Sequence, residues 1–178
     1  VPPPGFRYYD LYKRQMGEPE RRIETTLTTY IKSSDFERRY PKAHAKWREA
    51  DGTLWHEKSE SHLSTIGHLC REAVQEFATV LVETHRPPDA DPNPAHEIKR
   101  VGAVLTHLCR ESDTTMRKLI GAALDYWEQV SGLVQRVEHA GQREKEALRW
   151  DDARAVVFQT GFLMYEIDRL VSRSRSDV

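Results

Sequence analysis

The apolar positions of this chain recur mostly at intervals of three and four, the period of a helix buried on one side. Ile23, Leu27, Tyr30 and Ile31 begin the pattern. They follow Glu18-Pro19-Glu20, where proline suits a first helical turn and acids favour the positive end of the helix dipole. Ser33-Ser34 ends this element. A second helical stretch runs from Asp35 to Ala50, interrupted near Pro41, with Phe36, Tyr40 and Trp47 as its apolar side. Asp51-Gly52 reads as a turn. From Trp55 to about His85 the stripe Leu63, Ile66, Cys70, Ala73, Val74, Phe77, Leu81 predicts a long helix, closed by Arg86-Pro87-Pro88.

The second half continues in the same way. Asn93-Pro94 reads as an N-cap followed by proline at the first helical position, ahead of Ile98, Val101, Leu105, Leu108 and Cys109. Ser112-Asp113 breaks and recaps the chain. The next helix runs to about His139-Ala140-Gly141, with Leu119, Ile120, Ala123, Trp127, Val130, Val134 and Val137 inside. Trp150-Asp151 opens the last helix, Asp151 as N-cap and Trp150 placed to staple over it. Val156, Val157, Leu163, Ile167, Leu170 and Val171 form its buried face. No segment alternates with period two. The fold expected is all-α: about six helices in an antiparallel bundle, without a sheet. Residues 1–17 form an extended N-terminal arm, 18–173 a single bundle domain, and 174–178 a frayed tail.

Composition supports this picture. A chain of 178 residues with 38% hydrophobic and 31% charged residues suits helices with narrow apolar stripes and broad solvated faces. Four Trp, seven Tyr and five Phe supply core material that disordered chains lack. A net charge of −1 argues against nucleic acid as the main partner. Two cysteines make no disulfide framework. No apolar run has the length of a signal peptide or membrane span, so no membrane association is expected and the expected location is the cytoplasm. The missing initiator methionine reads as a processed or trimmed chain.

The most distinctive motif is a repeat. His68-Leu69-Cys70-Arg71-Glu72 recurs letter for letter as His107-Leu108-Cys109-Arg110-Glu111. Thiolate and imidazole would suit zinc, making His68, Cys70, His107 and Cys109 candidate ligands. Helix geometry opposes this, because residues two apart point about 200° from each other. The alternative puts both cysteines in the core as small hydrophobes and both histidines at the boundary, each one turn before its own glutamate. On that view no metal and no cofactor is expected, and two helices bury matching Cys70 and Cys109 faces.

A second pattern is arginine, four to six residues, then histidine. Arg39 to His44, Arg38 to His44 and Arg100 to His107 satisfy it. With eight histidines in this composition, about two or three such matches arise by chance. The pattern resembles the mark of HEPN ribonuclease bundles. That resemblance covers one hairpin at most, and it implies that Arg39 or Arg100 holds phosphate while His44 or His107 acts as acid–base. The polar residue usual after the arginine is absent, since Tyr40 and Val101 stand there.

Arg38, Arg39, Lys42, Lys46 and Arg48, interleaved with Phe36, Tyr40 and Trp47, could receive single-stranded nucleic acid by charge and stacking. A solvated basic face over core rings explains the same residues. The Asp89-x-Asp91-x-Asn93 loop departs from a calcium loop, with Pro94 where glycine is needed and Arg100 where glutamate is needed. Asp151-Asp152 and Glu166/Asp168 are expected at capping and surface positions. No glycine-rich phosphate loop or nucleophile elbow is present.

The expected function is therefore a non-enzymatic helical interaction module that docks a protein partner or a second copy of itself. The arm's Phe6, Tyr8, Tyr9 and Tyr12, costly to leave exposed, are the candidate partner-binding residues. Self-association through helices 55–85 and 113–140 is one route. A nucleic-acid-acting bundle of HEPN type is the alternative.

Overall fold

The computed structural model describes residues 18–56, 59–109, 113–139 and 147–176. Among them the regular elements are all helical, with no strand: α1 (Glu18–Ile31), α2 (Ser34–Arg39), α3 (Pro41–Leu54), α4 (Leu63–His85), α5 (Glu97–Leu108), α6 (Thr114–Glu138) and α7 (Trp150–Ser176). A short 3-10 turn, Ser59–His62, leads into α4. Among the described residues no helix is long and apolar enough to cross a membrane.

Local chemistry sets several boundaries. Ser33 Oγ accepts from Phe36 N at 3.2 Å and starts α2. Pro41 has no N–H to extend that ladder, so the chain restarts as α3. Arg86 adopts a left-handed conformation (φ 46°) and terminates α4 just before two prolines. Asp113 caps α6 by accepting from Met116 N at 2.8 Å.

Other boundaries differ from the sequence expectation, each for a tertiary reason. Asp51-Gly52 is not a turn but lies inside α3. The Asp51 carboxylate accepts from Lys32 Nζ at 2.6 Å and from Trp55 Nε1 at 3.0 Å, and Trp150 Nε1 donates to the Leu54 carbonyl at 2.9 Å. These contacts hold the last turn of α3, so α4 begins at Leu63 rather than at Trp55. Likewise α5 begins at Glu97, because Asn93 Oδ1 accepts from Ala95 N at 3.0 Å within a turn instead of capping a helix. At the start of α7 it is Asp152, not Asp151, whose carboxylate takes the Arg149 N–H, at 2.8 Å. Trp150 meets Trp55 edge-on at 5.3 Å rather than folding over its own first turn.

Helix α4 is the hub, with Ile66, Cys70, Ala73, Phe77 and Leu81 buried along it. Lys46 and Lys42 of α3 reach Glu72 (2.8 Å) and Glu76 (3.7 Å), so α3 runs opposite to α4. Arg136 meets Asp152 and Tyr126 meets Gln159, so α6 runs opposite to α7. Glu24 meets Arg154 and Tyr30 meets Asp168, so α1 runs the same way as α7. The N-terminal part of α4 approaches the end of α6 so closely that a Cβ on Gly67 would sit 2.5 Å from Glu138 N. Two residues expected inside are outside: Ile23 is 59% exposed and Leu119 44% exposed.

Candidate functional site

The arginine–histidine pairs occupy structural positions. Arg39, at the end of α2, pairs with Asp168 through Nη1 and with Asp35 through Nε at 3.1 Å. Asp168 is buried on α7, not at the surface as its sequence context suggested. It also accepts from the Tyr30 hydroxyl and, at 2.8 Å, from the Tyr40 hydroxyl. This network ties α1, α2 and α7 together, with the guanidinium committed to two carboxylates. His44 is buried in α3, 3.8 Å from Glu37, with Nε2 lacking a hydrogen-bond partner. Burial lowers its pKa, so the imidazole stays neutral further into the acid range. In the other pair Arg100 is buried and donates to Thr79 Oγ1 at 2.9 Å, whereas His107 is exposed two turns later on α5.

The two copies of the pentapeptide fold differently. The first lies within α4, where His68 points outward to Glu138 (3.2 Å) and Cys70 points into the core beside Thr160. Desolvation pushes the Cys70 thiol up to about 12. The second runs off the end of α5: Leu108 is its last helical residue and Cys109, in extended conformation, is the C-cap. Cys109 is half-buried, so the expected matching buried faces do not form; Arg110 and Glu111 lie outside the described residues. Among the described residues no group of three or more His, Cys, Asp or Glu is placed to hold a metal ion.

The basic stretch keeps its cations but not its rings. Phe36, Tyr40 and Trp47 are buried, and Trp47 Nε1 donates to the Val157 carbonyl at 2.9 Å. Arg38 pairs with Asp35 at 2.6 Å, Lys42 and Lys46 with α4, and Arg48 is exposed. The arm residues Phe6, Tyr8, Tyr9 and Tyr12 lie outside the described residues.

Two features escaped the sequence. The first is an aromatic face on the outer side of α7. Phe158 stacks with Phe162 (6.3 Å), Tyr126 of α6 meets Phe162 edge-on (6.3 Å), and Tyr165 meets Tyr30 of α1 edge-on (4.7 Å). All five rings are half-buried. The spacing 158, 162, 165 was legible, but it sits on the opposite side of the helix from the aliphatic stripe. The second is a small cavity among α4, α5, α6 and α7, lined by Arg71, Glu97, Trp127, Ser131 and Gln135 with apolar neighbours. Burial raises the pKa of Glu97, against the opposing effects of its own backbone N–H, Arg71, His96 and Ser131.

Comparison with protein-family models, curated proteins and solved structures finds no match to this chain.

Proposed function

We propose that this chain is a non-enzymatic helical interaction module that docks a second copy of itself. The observation that carries the proposal is the apolar surface formed where α6 meets α7. Leu119, Tyr126 and Leu133 recur at seven-residue spacing along α6, Leu119 exposed and the other two half-buried. Beside them the outer face of α7 presents Phe158 and Phe162. Aromatic and aliphatic side chains in such a strip are costly to leave in water and typical of the centre of an interface. A strip of this kind is self-complementary across a two-fold axis, and a net charge of −1 opposes the approach of two copies only weakly. Helix α4, at the centre of the packing, leaves α6 to supply the contact. The bundle of the proposed module is mixed, with α3 opposite to α4 and α6 opposite to α7 but α1 parallel to α7, and Phe6, Tyr8, Tyr9 and Tyr12 are proposed as further partner-binding residues.

Light scattering coupled to gel filtration over a range of concentrations provides the test. A dimer is expected, with Leu119→Lys combined with Leu133→Lys giving a folded monomer by circular dichroism. A wild-type chain that stays monomeric at high concentration overturns the proposal. So does a dimer that the double variant leaves intact.

A further inference from the structure

The chain has four tryptophans, and three of their indole N–H groups have protein acceptors. Trp47 donates to the Val157 carbonyl, Trp55 to Asp51 and Trp150 to the Leu54 carbonyl. Trp127 differs. It is completely buried on α6, and its Nε1 has no hydrogen-bond partner. Leaving a buried donor unpaired costs about 1–3 kcal/mol, so such groups are nearly always satisfied, by protein or by internal water. A second residue lining the same cavity also carries a buried, unpartnered polar atom: Glu97, at the first turn of α5, through its Oε2.

The space between these elements measures about 10 Å³, the room one water molecule needs. We infer that the cavity binds a single internal water that accepts from Trp127 Nε1–H and donates to Glu97 Oε2, joining α5 to α6. The chemistry of the two orphans selects this ligand. The indole N–H demands an acceptor, which excludes ammonium. The carboxyl oxygen disfavours a halide or other anion. An apolar atom would leave both groups unpaired. Water meets both demands, and when Glu97 is in its acid form, which burial favours, the water can instead accept from the carboxyl O–H. Ser131 and Gln135, also on the wall, supply further polar partners, bringing the site within the two to four that buried waters usually have. The cavity shares no lining residue with the proposed docking face.

Water-selective nuclear Overhauser spectroscopy on the native full-length chain tests it. Among the four indole N–H resonances, Trp127's is expected to show a direct cross-peak to long-lived water, assigned by its loss in Trp127→Phe. Oxygen-17 relaxation dispersion counts long-lived waters without interference from exchanging hydroxyl protons. It should fall by one water per chain in Trp127→Phe. No water cross-peak at the Trp127 indole in the wild type would overturn the inference, as would an unchanged oxygen-17 count in a folded Trp127→Phe variant. An indole resonance that shifts in Glu97→Gln while showing no water contact in the wild type would assign a direct Trp127–Glu97 bond instead, and would overturn it too.

Discussion

Cys70 and Cys109 occupy the same place in identical pentapeptides, yet their surroundings give them different chemistry. A thiol reacts as thiolate, and thiolate formation requires a solvated or electropositive environment. Cys70 has neither: it is completely buried in α4, with its pKa pushed to about 12 by desolvation. Cys109 sits at the half-buried end of α5. At neutral pH, Ellman's reagent is therefore expected to modify the native protein at Cys109 alone, with Cys70 reacting only after unfolding. The rapid phase should vanish in Cys109→Ser; two equally rapid thiols in the native protein would contradict the assignment. The sequence placed Cys70 in a helix stripe, which was sufficient for its burial. It offered no equivalent signal that α5 stops at Leu108, because the same five letters are helical throughout in the first copy.

At the scale of elements, neighbours override local preference in both directions. Replacing glycine by alanine inside a helix normally stabilises by about 0.5–1 kcal/mol, through the backbone entropy of the unfolded chain and helix propensity. Gly132 on α6 has open space where a Cβ would go, so Gly132→Ala should follow that rule. Gly67 on α4 should break it. Its Cβ would lie 2.5 Å from Glu138 N and 2.9 Å from Glu138 Cα, main-chain atoms that cannot rotate away. Gly67→Ala should destabilise by about 1–3 kcal/mol, the usual cost of overpacking. Urea unfolding of the two variants gives opposite signs if helix approach governs the site and the same sign if propensity does. The same override keeps Asp51-Gly52 helical. Its turn signal is a weak local tendency, set against a carboxylate holding Lys32 and Trp55 and a tryptophan bonded to the end of the helix.

For the whole molecule, two glutamates at helix junctions make stability depend on pH with opposite signs. Glu97 has a raised pKa, mainly because burial disfavours its carboxylate, although Arg71, His96 and Ser131 oppose the shift. Its contribution to stability is complete below the ordinary glutamate value of 4.5 and is lost as pH rises through the higher folded value. Glu138 is also desolvated, but hydrogen bonds from His68 and Arg71 overcome that and lower its pKa. Its contribution is present above 4.5 and is lost as pH falls through the lower folded value. Denaturant unfolding across this range should show Glu97→Gln gaining on the wild type as pH rises above 4.5. Glu138→Gln should flatten the acid limb below it. Identical pH profiles for wild type and both variants would remove these two groups as the cause.

Periodicity alone determined that the described chain is helical and which side of most helices is buried, because burying an apolar stripe is the main source of helix stability and leaves its period in the sequence. Leu163, Ile167 and Val171 on α7, and Trp127, Val130 and Val134 on α6, were legible for that reason. What one helix places opposite another was not legible, since no local pattern encodes a partner that lies on another helix, tens of residues or more away. The tertiary structure decided that Arg39 belongs to Asp168, that Glu138 faces His68 and Arg71, and that Glu97 and Trp127 share a cavity. It also decided that Leu119 and Ile23 remain outside the core. Charge pairing, close helix approach and exposed apolar faces depend on distances between elements, and those distances exist only once the chain has folded.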